Sequence, residues 1–115
     1  MDLSSESISP GVADTAPLTR REIADLLPEV PAWSLEEGHL CVRFACKGFN
    51  DAVTLLQEIA MFAARENHVP DIGICRGRIV EVAWYTYAIG GLSRNDFIMA
   101  ARLSERLRAR QGGTL

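Results

Sequence analysis

Glu66-Asn67-His68-Val69-Pro70-Asp71-Ile72 is the stretch on which the reading of this chain turns. It follows residues 51–65, where apolar side chains recur at helical spacing, and it leads into a strand-like run. Pro70 has a fixed φ and no N–H to donate, so it cannot continue the helix, and it biases Val69 towards extended backbone. A helix has to end here and a strand begin. His68 and its neighbours therefore sit at the mouth of a helix–strand junction, where small domains often carry their chemistry.

On the N-terminal side of that junction, Asn50 and Asp51 supply a cap and a first-turn acid for a helix whose inward face is Ala52, Leu55, Leu56, Ile59, Phe62 and Ala63. Before it, residues 40–46 alternate: Leu40, Val42 and Phe44 face one way, Cys41, Arg43 and Ala45 the other. That period of two is a half-buried antiparallel strand. Glu36-Glu37-Gly38 makes the preceding turn, and Trp33 anchors a short strand before it. Further back, Thr19-Arg20-Arg21-Glu22 reads as a capping box opening a helix that carries Ile23, Leu26 and Leu27 inward and stops before Pro28.

On the C-terminal side, residues 72–75 and 79–86 form two strands joined through Arg76-Gly77, with Val80, Val82 and Trp84 facing the core and Tyr85 facing away. Gly90-Gly91 breaks the pattern. Ser93 and Asp96 form a capping pair for a last helix with Met99, Ala100, Leu103 and Leu107 on one stripe, and arginines at 102, 106, 108 and 110 oppose the dipole at its end. Hairpin-connected strands with helices between them predict an α+β fold: a four-stranded antiparallel sheet with three helices packed on one face. Edge strands left bare by such a sheet point to a homodimer.

With 115 residues there is chain for one core but not two. The expected layout is a flexible tail over residues 1–17, rich in serine and proline, one folded domain over 18–110, and a short tail over 111–115. A net charge of −3 argues against a nucleic-acid or anionic-membrane partner, and no apolar run reaches the roughly 20 residues of a membrane span. No basic-then-apolar leader opens the chain, so a cytoplasmic protein is expected. Cys41, Cys46 and Cys75 lack metal-ligand spacing and are odd in number, which predicts buried free thiols, no metal site and no disulfide framework.

Taken in order, Leu18-Thr19, Pro31-Ala32-Trp33, the stretch from Asn67 to Ile72, Thr86-Tyr87, Gly90-Gly91-Leu92-Ser93 and Asp96 resemble the pterin-4a-carbinolamine dehydratase family, over about residues 18–107. The resemblance implies the fold just described and a reaction in which a 4a-hydroxytetrahydropterin loses water. That loss needs a proton donor at the leaving oxygen and an acceptor for a pterin ring proton, and histidine suits both near neutral pH. The family typically has two adjacent histidines before the proline and a third after the threonine. Here the first is kept as His68, the second position is Val69 and the third is Tyr87. The aromatic residue the family carries a few positions past the proline is replaced as well, since Arg76 and Gly77 stand there.

Valine exchanges no proton, and a phenol with an ordinary pKa of about 10 is a poor base at pH 7. Losing a positioned acid or base typically costs about 10²–10⁴ in rate. The reading is a degenerate site with no catalytic residue and no cofactor, in which His68, Val69, Pro70, Asp71, Tyr87 and Asp96 are the remnant pterin-pocket positions. His39, in the turn before the first long strand, is read as exposed rather than recruited. A dehydratase-like branch with an altered pocket is the Rubisco assembly factor of α-carboxysomes. Resemblance to it implies a chaperone for the form I large subunit, associated with carboxysomes, with Arg76, Tyr87 and Ile89 as partner-contact candidates. The alternatives are a dehydratase of weak residual activity in tetrahydropterin recycling, using His68 and Tyr87, and a coactivator or dimerisation cofactor, a role also known in the family.

Overall fold

The computed structural model describes residues 2–8 and 16–110, with side chains described to residue 108. Its seven main elements follow the expected order: α1 (Arg20–Leu26), β1 (Ser34–Glu36), β2 (His39–Ala45), α2 (Phe49–Glu66), β3 (Asp71–Cys75), β4 (Ile79–Trp84) and α3 (Arg94–Arg110). Among the described residues, short 3₁₀ turns also lie at Leu3–Ser5, Leu27–Glu29 and Tyr87–Ile89. The sheet is wholly antiparallel with order β1-β2-β4-β3, so β2 and β4 are central and β1 and β3 are the edges. The α+β fold expected from the sequence is the fold observed.

Register decides which side chains meet the helices. Leu40, Val42 and Phe44 of β2 lie opposite Trp84, Val82 and Val80 of β4, and these face inward. Cys41, Arg43 and Ala45 lie opposite Ala83, Glu81 and Ile79 on the outer face. Against the inner face α2 places Ala52, Leu55, Ile59, Phe62 and Ala63, and α3 places Phe97, Met99, Ala100, Leu103 and Leu107, all buried. Spacing of three and four residues aligns them on one helix face each. Trp33 is buried beside β1 and its indole N–H donates to Ser104 Oγ of α3 at 2.7 Å, which ties the edge strand to the last helix.

Local chemistry fixes the joints. The Thr19–Glu22 capping box closes as expected, with Glu22 N donating to Thr19 Oγ1 at 3.2 Å and Thr19 N donating to Glu22 Oε1 at 2.8 Å. Glu37 and Gly38 take φ of 50° and 80° between β1 and β2, the pair of left-handed residues that a two-residue hairpin needs to match strand twist. At the other end of the sheet β3 and β4 are joined by Arg76-Gly77-Arg78, with Arg76 and Gly77 also left-handed.

Several expectations need correcting. Asn50 is not the cap of α2: the helix starts at Phe49, its cap position is the extended Gly48, and no side chain fills the cap. Asp51 does stand in the first turn. Of the three thiols only Cys41 is buried, while Cys46 is half-buried and Cys75, on the edge strand, is exposed. In the segment expected to be a flexible tail, residues 2–8 pack on α3. Leu3 is in the core, and the Arg102 guanidinium donates to the backbone oxygens of Ser4 (3.1 Å) and Glu6. Arg94 pairs with Glu6 at 2.7 Å. The remainder of that segment, residues 1 and 9–15, and the C-terminal residues 111–115 lie outside the described residues.

Candidate functional site

Helix α2 ends in a Schellman closure. Asn67 turns left-handed (φ 57°, ψ 35°), its N–H reaches Ala64 O at 3.2 Å, and His68 N–H reaches Ala63 O at 3.3 Å. Both orphan carbonyls are thereby satisfied, and the chain leaves the helix in a fixed direction. His68 is thus positioned by backbone geometry before its side chain makes any contact.

That side chain lies across the core-facing Trp84, with ring centroids 5.7 Å apart and planes 13° from parallel. Its Nε2 meets Asp96 Oδ1 at 2.8 Å. Asp96 is wholly buried and occupied on both oxygens: Oδ2 accepts from Ser93 N at 2.8 Å, where it caps α3, and from Thr86 Oγ1 at 2.7 Å. Ser93 Oγ and Thr86 Oγ1 share a further bond at 2.8 Å. One carboxylate therefore joins the end of α2, the end of β4 and the start of α3, and orients the imidazole.

The other remnant positions diverge. Val69 points out, 65% exposed, and so does Tyr87 at the same figure. The Tyr87 hydroxyl donates to Asp71 Oδ2 at the start of β3, and this bond, with the charge of Asp71, pushes the phenol's ionisation above its ordinary range. Tyr87 and Asp71 meet at the start of β3, whereas the His68–Asp96 pair lies over the core-facing Trp84. Arg76 does not belong with them. It lies past the far end of β3, five residues from Asp71, which is about 17 Å of extended strand. Ile89 is half-buried in the 3₁₀ turn that carries Tyr87.

The residue that sequence reasoning set aside is the one the structure brings in. His39 opens β2, which puts it beside Tyr85 on the outer face. The rings stack at 4.1 Å and 14°, His39 Nδ1 lies 3.1 Å from the Glu37 carbonyl oxygen, and Nε2 lies 3.3 Å from the Tyr87 hydroxyl. Tyr85 and Tyr87 meet edge to face at 4.8 Å. The signal was available in principle: Leu40 faces in, so His39 and Tyr85 both face out on neighbouring strands. Beside this cluster an open cavity of about 340 Å³ is lined by His39, Cys41 and Ala83 and by Glu36, Arg43 and Glu81. Among the described residues no group of three or more acidic, histidine or cysteine side chains could hold a metal ion, and no helix is long and apolar enough to cross a membrane.

Comparison with known proteins agrees with this architecture. Residues 16–106 match the sequence family described as Pterin 4 alpha carbinolamine dehydratase. A Stenotrophomonas maltophilia protein named "Putative pterin-4-alpha-carbinolamine dehydratase" is 40% identical over 89 residues, 76% of each chain. A protein of the same name from Dechloromonas aromatica is 35% identical over 106 residues, 92% of this chain and 94% of that one. Among solved structures, a transcriptional coactivator/pterin dehydratase from Brucella melitensis superposes with a TM-score of 0.68 at 22% identity, covering 77% of this chain and 96% of that one. At that identity the likeness speaks to the fold.

Proposed function

This chain belongs to the pterin 4 alpha carbinolamine dehydratase family, and from that premise we propose that it works as a binding protein rather than as an enzyme, an assembly chaperone for the large subunit of form I Rubisco in α-carboxysomes. One observation carries the reading. Of the three positions where the family resemblance places imidazoles, only His68 holds one. Val69 offers an exposed isopropyl group, and the phenol of Tyr87 is engaged by Asp71 and harder to ionise than an ordinary tyrosine. What remains is a rigid scaffold with apolar side chains at its surface: Val69 and Tyr87 at the old pocket, and Leu35, Phe49 and Met61 elsewhere. Exposed apolar surface of this kind suits a protein that transiently covers a partner's own apolar surface. The homodimer expected from the bare edges of β1 and β3 would present two copies of it.

Co-expression tests this directly. Form I Rubisco subunits are produced with the wild-type chain, with Tyr87→Ala, and without either, and assembled Rubisco is quantified on native gels. The wild type is expected to raise the yield and Tyr87→Ala to lower that gain. No gain from the wild type sinks the chaperone role.

A second reading is supported by the buried Asp96 behind His68: a slow dehydratase that uses His68 and Tyr87 with a bound water. Clear turnover of a 4a-hydroxytetrahydropterin, abolished by His68→Ala, would favour it over the first.

A further inference from the structure

We propose that the outer face of the sheet carries a seat for an arginine side chain, supplied by a basic segment of a protein partner; the choice of partner rests on the binding-protein reading. The register lays the seat out row by row. Glu36, His39 and Tyr85 form the first row, across β1, β2 and the end of β4. Cys41 and Ala83 stand opposite each other in the second, with Asp71 of β3 beside Ala83. Arg43, Glu81 and Gly73 make the third. Rows on one face of a sheet are about 7 Å apart. The small side chains of Cys41 and Ala83 therefore leave a trough between an aromatic wall and an ion-pair wall. That trough is the open cavity of about 340 Å³.

Each wall supplies one part of guanidinium recognition. At the first row the His39 and Tyr85 rings stack at 4.1 Å, and the exposed Tyr87 meets Tyr85 edge to face at 4.8 Å. This corner offers ring surface to a flat cation, which aromatic faces attract. The Tyr87 hydroxyl donates to Asp71 Oδ2 and leaves Oδ1 of that carboxylate to accept from a ligand. At the third row Arg43 already shows that a guanidinium fits: it bonds both Glu36 oxygens at 2.7 and 2.8 Å and Glu81 at 2.7 Å. Glu37, which also lines the cavity, has no side-chain partner among the described residues.

Charge selects the ligand. Four carboxylates, Glu36, Glu37, Asp71 and Glu81, surround one guanidinium, Arg43. The bases bordering the strands, Lys47, Arg76 and Arg78, stand at the opposite end of the sheet, where Ala45 and Cys75 pair with Ile79. The Cys41 thiol on the floor responds to the same field: burial first, and then Glu36, push its ionisation upward. A field that resists an anion there favours a cation and repels phosphate, so the partner is a protein and not a nucleic acid. Arginine suits the seat better than lysine, because its plane stacks on a ring while its fork takes a carboxylate.

The test is a titration of the isotopically labelled full-length protein with N-acetyl-arginine amide, followed by NMR. Backbone signals of Cys41, Ala83 and Tyr85 should shift together, with a Kd in the millimolar range for a single side chain on an open site. The neutral citrulline analogue and the lysine analogue should each bind at least about 5-fold more weakly. Tyr87→Leu and Asp71→Asn should each weaken arginine about 3–10-fold, and added salt should weaken it in the wild type. Met61→Ala, exposed on α2, should change nothing. The comparison of analogues uses the wild type alone and so needs no variant to fold. Equal binding of citrulline or lysine, or shifts confined to other surfaces, overturns the seat. Co-expression separates the seat from the chaperone role. A gain in assembled Rubisco with no arginine shifts on this face sinks the seat and keeps the chaperone; arginine bound here with no gain in Rubisco sinks the chaperone and keeps the seat.

Discussion

Removing the carboxylate at Asp96 should cost more than any other single side-chain change at the site, and the structure lets the cost be worked out. Asp96 is wholly buried and accepts from Ser93 N (2.8 Å), Thr86 Oγ1 (2.7 Å) and Ser93 Oγ (3.4 Å), and it pairs with His68 Nε2 (2.8 Å). Hydrogen bonds to a charged group contribute about 1.5–3 kcal/mol each, and a lost helix cap costs about 1 kcal/mol. These overlap, so the figure for breaking a buried pair, about 3–5 kcal/mol, is the better guide. Asp96→Ala should therefore lose about 4 kcal/mol. With an unfolding entropy of about 2.1 cal/mol/K per residue over 115 residues, that is a fall in Tm of about 16 °C. Guanidinium titration should show the midpoint drop with the slope unchanged. His68→Ala removes one partner of four and should cost about 1–2 kcal/mol. The double variant should cost less than the sum, because the two share one interaction. A loss below about 1 kcal/mol for Asp96→Ala would refute the claim that this carboxylate joins α2, β4 and α3.

Three further outcomes follow from separate parts of the molecule. Leu3→Ala should lose about 2–5 kcal/mol in chemical denaturation, because Leu3 is 2% exposed against α3; a neutral result would mean that residues 2–8 do not stay docked. Arg43 bonds both carboxylate oxygens of Glu36 and holds that group's pKa down to about 2, so its carboxyl resonance should titrate there and return to the ordinary range in Arg43→Met. A depressed carboxylate stabilises above its unfolded value of 4.5, and that help should fade as pH falls from there towards 2. Gly91→Ala should lose about 1–3 kcal/mol, measured by thermal melting, because a Cβ there would meet Pro17 Cβ at 2.7 Å and strain the Leu18 N–H bond to Leu92 O.

What could be read from the sequence was mostly local. The Thr19–Glu22 and Ser93–Asp96 pairs lie three residues apart, Pro70 forbids a helix by its own ring, and Val80, Val82 and Trp84 alternate within one strand. Each of these signals sits inside the element it specifies. The failures were of two kinds. Asn50 was a plausible cap by residue type, yet Gly48 takes extended backbone and lets α2 start two residues earlier. His39 was set aside because its partners, Tyr85 and Tyr87, are 46 and 48 positions away, and only the register of β2 on β4 brings them together. Leu3 escaped for a related reason: one apolar residue among serines and acids has no period, and its partners are on the last helix. Thr86 and Ser93 belonged to recognisable motifs, but their shared bond to Asp96 needed the end of β4 to fold back beside α3.

The indole of Trp84 is fully buried, its nitrogen finds no acceptor among the described residues, and its face lies under His68. Such a ring emits at short wavelength, and its light responds to whatever is laid against its face. With Trp33 changed to phenylalanine, the remaining glow comes from this spot alone. The junction thus carries its own lamp, whose brightness reports whether the His68 ring still lies against it, with no label attached.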